Sequence, residues 1–193
     1  MRWMKKRMRI RIHGEIMKRI LLTGMSGVGK STVLQRLAAD GILCVDLDDG
    51  WMCDVDSEPM INLPRVHRFI QAHQDESVVF AGCAMNQRKL DVDCTVLLTA
   101  TPTLMKARIE QRDNPFGKDE TTWQKILEDK AQFEPVLIAS SDVVIDTEQP
   151  LEQTVAQIKE ILTAGHVIAS SICSDGHAFI LHGRDGKSPW PEY

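Results

Sequence analysis

One stretch of eight residues limits this chain more than any other. Gly24-Met25-Ser26-Gly27-Val28-Gly29-Lys30-Ser31 fits Gly-x-x-x-x-Gly-Lys-Ser/Thr at every fixed position, and Thr32 follows. The motif begins where the apolar run at 20–23 stops, and it leads into a helical period from Lys30. A strand, a glycine-rich turn and a helix must therefore follow one another here. Glycines let successive backbone N–H groups converge with no Cβ in the way, and the helix N-terminus adds partial positive charge. The same residues could form a strand-to-helix turn with no ligand, but their physical suitability is for phosphate oxygens.

In such a cradle Met25, Ser26, Gly27 and Val28 offer main-chain amides, and Lys30 neutralises the β- and γ-phosphates. Ser31 offers its hydroxyl to Mg²⁺, and Thr32 holds the α-phosphate or caps the turn. ATP and Mg²⁺ are the expected cofactors.

The rest of the chain alternates apolar runs with helical periods from Met17 to about Ala164, the pattern of βα units stacked around a parallel sheet. The strands are expected at 20–23, 42–47, 77–81, 95–100 and 142–146. Each is a short, nearly continuous apolar run, as strands covered on both faces require. Helices are expected at 30–40, closed by Gly41, and at 151–164, with Pro150 before it and Gly165 beyond. The span 64–73 places Val66, Phe69, Ile70 and His73 on one face, and 119–139 does the same for Trp123, Ile126, Leu127 and Lys130. In the latter Asp119 is the expected N-cap, and Pro135 is expected to kink or end the last turns.

Three regions are expected along the 193 residues: a basic extension at 1–16, an α/β domain at 17–164, and a tail or edge hairpin at 165–193. An apolar fraction of 43% is ample for one core. Residues 1–16 carry six of the 23 Lys/Arg and one of the 27 Asp/Glu. Such an arm could touch nucleic acid or an anionic membrane, or be a non-native extension left by an upstream start or by cloning. The acidic remainder lacks the basic face of a general nucleic-acid binder. No run is long and apolar enough to span a bilayer. The five scattered cysteines, none in a Cys-x-x-Cys pair, read as reduced thiols in a cytoplasmic protein.

Asp46-Leu47-Asp48-Asp49 falls sixteen residues after Lys30, at the carboxyl end of the expected second strand. Ligands of open α/β sheets sit at that edge. There Asp46 could hold the metal or a metal-bound water, and Asp48 could take a proton from an acceptor hydroxyl; a solvated acidic turn would use the same residues. Trp51 could wall an acceptor pocket or anchor a core. His67 and His73, six apart, do not share a helix face, and structural roles are expected of them.

Taken together these residues resemble the small P-loop kinases typified by shikimate kinase, gluconate kinase and adenylate kinase, over roughly 17–164. Asp46-Leu47-Asp48 looks like the Asp-x-Asp that shikimate kinase carries after its second strand. The resemblance implies a P-loop NTPase α/β fold: a five-stranded parallel sheet in the order 2-3-1-4-5, helices on both faces, and a short lid. It implies ATP-dependent transfer of a phosphoryl group to a small molecule, the alternative being a nucleotide-binding regulatory ATPase with no such acceptor. In the family's manner Arg108 would border the nucleotide, and Arg112, four residues on and on the same helix face, would reach the transferring phosphate. Asn114 to Lys118 would form the lid tip, and the loop from Thr147 to Pro150 would border the adenine. Arg88 is a candidate for the acceptor, with Arg65 and Arg68 also eligible by position. The run Ala81-Gly82-Cys83-Ala84 departs from the glycine-rich segment of shikimate kinase, and the third strand ends without an acid.

Overall fold

The computed structural model describes residues 17–164 and 178–180. Five parallel strands form its centre: β1 (Arg19–Thr23), β2 (Leu43–Asp46), β5 (Val78–Ala81), β6 (Cys94–Thr99) and β7 (Val143–Asp146). Their order across the sheet is β2-β5-β1-β6-β7, which counted among the parallel strands alone is the expected 2-3-1-4-5. Strand β1 lies in the middle, with Ile20 in register with Val79 of β5 and Cys94 of β6. A sixth strand, β8 (Ala178–Ile180), runs antiparallel along β7. The other residues of the expected N-terminal extension and tail, Cys173 included, lie outside the described residues.

The pleat sends alternate residues of β1 to opposite faces. Ile20 and Leu22 join a large core with helices α1 (Lys30–Ala39), α3 (Pro102–Gln111), α4 (Glu120–Ser140) and α5 (Leu151–Thr163). Leu21 faces a smaller core built with Val45, Phe80 and helix α2 (Leu63–Ala72), through Val66 and Ile70. The expected face of α2 is thus the one that packs. His73, just past its end, stacks on Phe69 at 4.1 Å between ring centres.

Side chains cap three of these helices. Asn62 accepts from Arg65 N, Thr101 from Leu104 N, and Asp119 from Thr122 N, each satisfying an amide left over at a first turn. Lys18 is buried and donates its Nζ to Ile161 O at 2.6 Å, closing the C-terminal end of α5.

One expectation is narrowed and one element was not foreseen. Of the two outcomes expected of Pro135, ending α4 does not occur, since the helix continues to Ser140. The loss of one main-chain bond, about 3 kcal/mol in a helix interior, is set against the packing of the turns beyond it, where Leu137 is buried and Ile138 lies on the large core. The unforeseen element is a hairpin, β3 (Met52–Val55) and β4 (Glu58–Ile61), between β2 and α2. Its two-residue turn, Asp56-Ser57, has φ 53 and 66 at the central positions, the geometry that matches strand twist. Asp-Ser is a weak signal for it, and Pro59 inside a four-residue strand argues against a ladder except at an edge. Among the described residues no helix is long and apolar enough to cross a membrane.

Candidate active site

All five parallel strands deliver their carboxyl ends to one edge of the sheet, and the motif residues lie there. Gly24 leaves β1 with φ 140, and a Cβ on it would stand 2.3 Å from Leu98 O, a main-chain atom that cannot yield. Only glycine lets the loop turn this close to β6. Met25 and Val28 bury their side chains in the large core, pinning the loop from inside. Helix α1 then starts at Gly29, in a left-handed conformation and with no side-chain cap. Its first intrahelical bond is Val33 N to Gly29 O at 3.0 Å, so the amides of Lys30, Ser31 and Thr32 are the ones left over at the positive end of the helix dipole.

Lys30 folds back over the loop, its Nζ donating to Gly24 O at 2.6 Å and Met25 O at 3.0 Å. Burial lowers its pKa; Cys83, Asp48 and Asp46, all close enough to matter, oppose that shift, and Arg112 adds to it. Across the edge, Ser31 Oγ donates to Asp46 Oδ2 at 3.1 Å. Asp46 Oδ1 accepts the Asp48 amide at 3.1 Å, which fixes the plane of the carboxylate. The hydroxyl and the acid expected to share a metal therefore meet directly. Asp48 is exposed on its outer side, yet its carboxyl is held above the ordinary aspartate range, first by desolvation; Lys30 pulls the other way and Asp46 adds to the rise.

Both candidate arginines reach the loop, but from different backbone settings than expected. Arg108 lies in the last turn of α3. It donates Nη1 to Val28 O at 3.0 Å and to Thr147 Oγ1 at 2.8 Å, and Nη2 to Thr147 O at 2.7 Å. Arg112 is past the helix end, in extended backbone at φ -83 and ψ 158, so the two do not share a helix face. The Arg112 side chain lies on the loop, where Nη1 and Nη2 are each 3.3 Å from Ser26 Oγ and Nη2 reaches Phe116 O at 2.5 Å.

The expected lid tip is a short, anchored turn. Asn114 Oδ1 accepts Phe116 N at 2.9 Å, and Gly117 N donates to Thr122 Oγ1 at 2.9 Å. Gly117 has φ 87 and leaves room for Ile126 Cδ1, which would stand 2.6 Å from an added Cβ. Lys106 Nζ holds the Gly117 and Lys118 carbonyls from below while lying 5.1 Å from the centre of the Trp123 ring.

The acceptor-side candidates are more dispersed. Trp51 packs edge-on against Phe69 at 5.2 Å, with the Arg65 guanidinium 4.4 Å above its ring. Arg65 also donates to Gly50 O. Arg88 sits, exposed, on a short 3-10 turn, Gln87–Lys89.

Three residues of this edge were absent from the sequence reading as side chains. Thr147 is buried, receives Arg108, and donates toward Val28 O or Thr99 O, each at 2.9 Å, so it braces three segments at once. Gln87 is buried and its Oε1 takes the Thr23 hydroxyl at 2.9 Å, beside the start of the loop. Asn86 pairs its amide with both main-chain groups of Ile61, each at 2.9 Å, and so fastens the hairpin to the loop after β5. No local signal marks these roles, because each depends on a partner distant in the chain.

A family model described as an AAA domain matches residues 20–147. A curated protein of Ectopseudomonas mendocina (strain ymp) named "Nucleotide-binding protein" is 28% identical over 141 residues, covering 68% of this chain and 50% of its own length. The chain thus spans half the length of that relative. Among solved structures, shikimate kinase from Acinetobacter baumannii in complex with shikimate superposes with TM-score 0.54 at 20% identity, over 76% of this chain and 93% of that one. Deoxyadenosine kinase from M. mycoides with bound dATP gives 0.52 at 16% identity, over 76% and 99%. At these identities the likeness is one of fold alone: a parallel sheet with helices on both faces.

Proposed function

We propose that this chain, which belongs to the AAA domain family, binds ATP with Mg²⁺ at residues 24–32 and passes the γ-phosphoryl group to a small acceptor bearing a hydroxyl or a phosphate. The observation that best supports this is the 3.1 Å contact between Ser31 Oγ and Asp46 Oδ2 beside an ammonium drawn over the loop. A hydroxyl and a carboxylate are hard oxygen donors of the kind Mg²⁺ takes together with nucleotide phosphates, so the residues present fit the ion. Ser31 and Asp46 would hold it, and when bound it supplies charge neutralisation between the phosphates.

The chain's own groups do the rest by position and charge. Lys30 trades two neutral carbonyls for phosphate oxygens, a stronger charge-assisted partnership. Arg108, fixed by Val28 and Thr147, borders the nucleotide, and Arg112 meets the phosphate being transferred. Asp48, with its raised proton affinity, takes the proton of the acceptor hydroxyl. Arg88 and Trp51 face the acceptor. One similar structure holds shikimate and another dATP, so a shared fold does not itself choose the acceptor.

The test is a panel of small metabolites offered with ATP and Mg²⁺, scored by melting temperature and by ADP released. One acceptor should both stabilise the protein and accelerate turnover. Calorimetry that finds no uptake of any purine triphosphate in the presence of Mg²⁺ overturns the reading. The curated relative is named for nucleotide binding alone, which is equally compatible with a second reading, a nucleotide-binding regulator with no small-molecule acceptor. It predicts ATP binding with turnover that no metabolite accelerates.

A further inference from the structure

The phosphate motif has four variable positions, and three of them present no side chain to the site. Met25 and Val28 are buried in the core, and Gly27 has none to present. Ser26 alone among the four shows a polar side chain, and two N–H groups of Arg112 converge on its oxygen at 3.3 Å. A serine hydroxyl has two acceptor lone pairs and one donor proton. Accepting both guanidinium nitrogens fills the lone pairs and leaves the O–H free to point at an incoming oxygen.

The surroundings say which way the arrangement is biased. Lys30 Nζ rests on the carbonyls of Gly24 and Met25, the two residues just before Ser26, so two cations meet the loop at three consecutive residues. Arg112 is incompletely satisfied there. Its Nη2 also reaches Phe116 O at 2.5 Å, but its Nε is buried with no hydrogen-bond partner. A neutral hydroxyl orients a guanidinium without neutralising it, and a phosphate oxygen is the stronger partner once it arrives. A carboxylate at the same position would trap the arginine.

Resting on the nucleotide site proposed above, we propose that Ser26 is a positioning residue, whose hydroxyl holds Arg112 over the loop so that the guanidinium meets the terminal phosphate of a nucleoside triphosphate. The site then distinguishes triphosphate from diphosphate through a side chain inside the phosphate motif. Its contribution is to the difference between the two ligands: Arg112 keeps its hold on the Ser26 hydroxyl and gives its remaining donor capacity to a third phosphate, which a diphosphate lacks.

The experiment is calorimetric titration of the full chain with ATP·Mg²⁺ and with ADP·Mg²⁺, in the wild type, Ser26→Ala, Ser26→Gly and Ser26→Thr, with melting temperatures alongside. A hydrogen bond to a charged group sets the expected scale. The ratio of ATP to ADP affinity should fall about fivefold to thirtyfold in Ser26→Ala and Ser26→Gly and should survive in Ser26→Thr. In an Arg112→Ala background, Ser26→Ala should change the ratio no further, since the two side chains act as one unit. A purely structural serine would lower both affinities and the melting temperature together. The proposal is overturned if the ratio stays within about twofold of wild type in whichever hydroxyl-free variant folds, or if the two substitutions are additive. Wild-type protein that takes up neither nucleotide sinks the nucleotide site itself, a different result from one that binds both and ignores Ser26.

Discussion

The two halves of the active edge are built in different ways. On the proposed nucleotide side most groups lie within nine consecutive residues, Gly24 to Thr32, and act mostly through main-chain amides, with Lys30 and Ser31 added and Asp46, Arg108 and Arg112 arriving from elsewhere. On the proposed acceptor side Asp48, Trp51 and the β3–β4 hairpin depend on side chains from separate segments: Phe69 and Arg65 of α2 against Trp51, and Asn86 against Ile61. A cradle of backbone amides tolerates little change, because its shape is the chain's own path. A pocket assembled from side chains on separate loops can change one contact at a time, which is the physical basis for expecting the acceptor, and not the nucleotide, to vary on such a frame.

Three substitutions would sharpen or break that contrast. The largest effect is expected from Asp48→Asn, which removes the proposed proton acceptor while keeping its shape. Phosphoryl transfer should fall by roughly 10²- to 10⁴-fold, with ATP affinity nearly unchanged by calorimetry. Its pH behaviour carries a sign. The folded protein binds the Asp48 proton more tightly than the unfolded chain does, since its carboxyl is raised by desolvation. Between the ordinary aspartate value and that raised value, the stability of the metal- and nucleotide-free protein therefore declines as pH rises. Melting temperatures across acid pH should show that trend in wild type and not in the Asn variant. Equal melting profiles in the two proteins would show that desolvation does not hold the Asp48 carboxyl up.

Next is Gly24→Ala, where an added Cβ meets Leu98 O at 2.3 Å and a positive φ must be kept. A strained dihedral and an overpacked contact together should cost about 3 kcal/mol. The loss should appear both as a lower melting temperature and as weaker ATP uptake, because loop shape and binding are one thing here. An alanine that lowered stability but left ATP affinity intact would show that the cradle is not set by this turn. The smallest effect is expected from Asn86→Ala. It removes two hydrogen bonds to Ile61 and should destabilise the protein by about 1–2 kcal/mol, measured by urea unfolding. Acceptor KM should rise while ATP affinity holds; a fall in ATP affinity instead would mean that the two halves are not separable.

How far the sequence could be read follows the same division. The five parallel strands were legible because apolar runs, glycines and prolines act locally, and each lies within two residues of its expected bounds; their order across the sheet came from the resemblance to the small P-loop kinases and not from any local signal. The meeting of Ser31 with Asp46 was legible as well, since parallel strands bring their carboxyl ends to one edge. The hairpin was not, as its turn is Asp-Ser and one of its strands contains Pro59. Nor was the contact of Arg112 with Ser26, 86 residues away in sequence. At Pro135 the local stop signal did not end the helix, whose next turns bury Leu137 and pack Ile138.

By itself the sequence determined that a glycine-rich loop would open the first helix and that acids would stand opposite it, because main-chain geometry near glycine and strand periodicity are short-range properties. Tertiary structure alone decided that Thr147 would brace Arg108 against the loop, that Asn86 would clasp the hairpin, and that Arg112 would settle on Ser26. Those outcomes depend on distances between segments far apart in the chain, which are fixed only once the sheet and its two cores have packed.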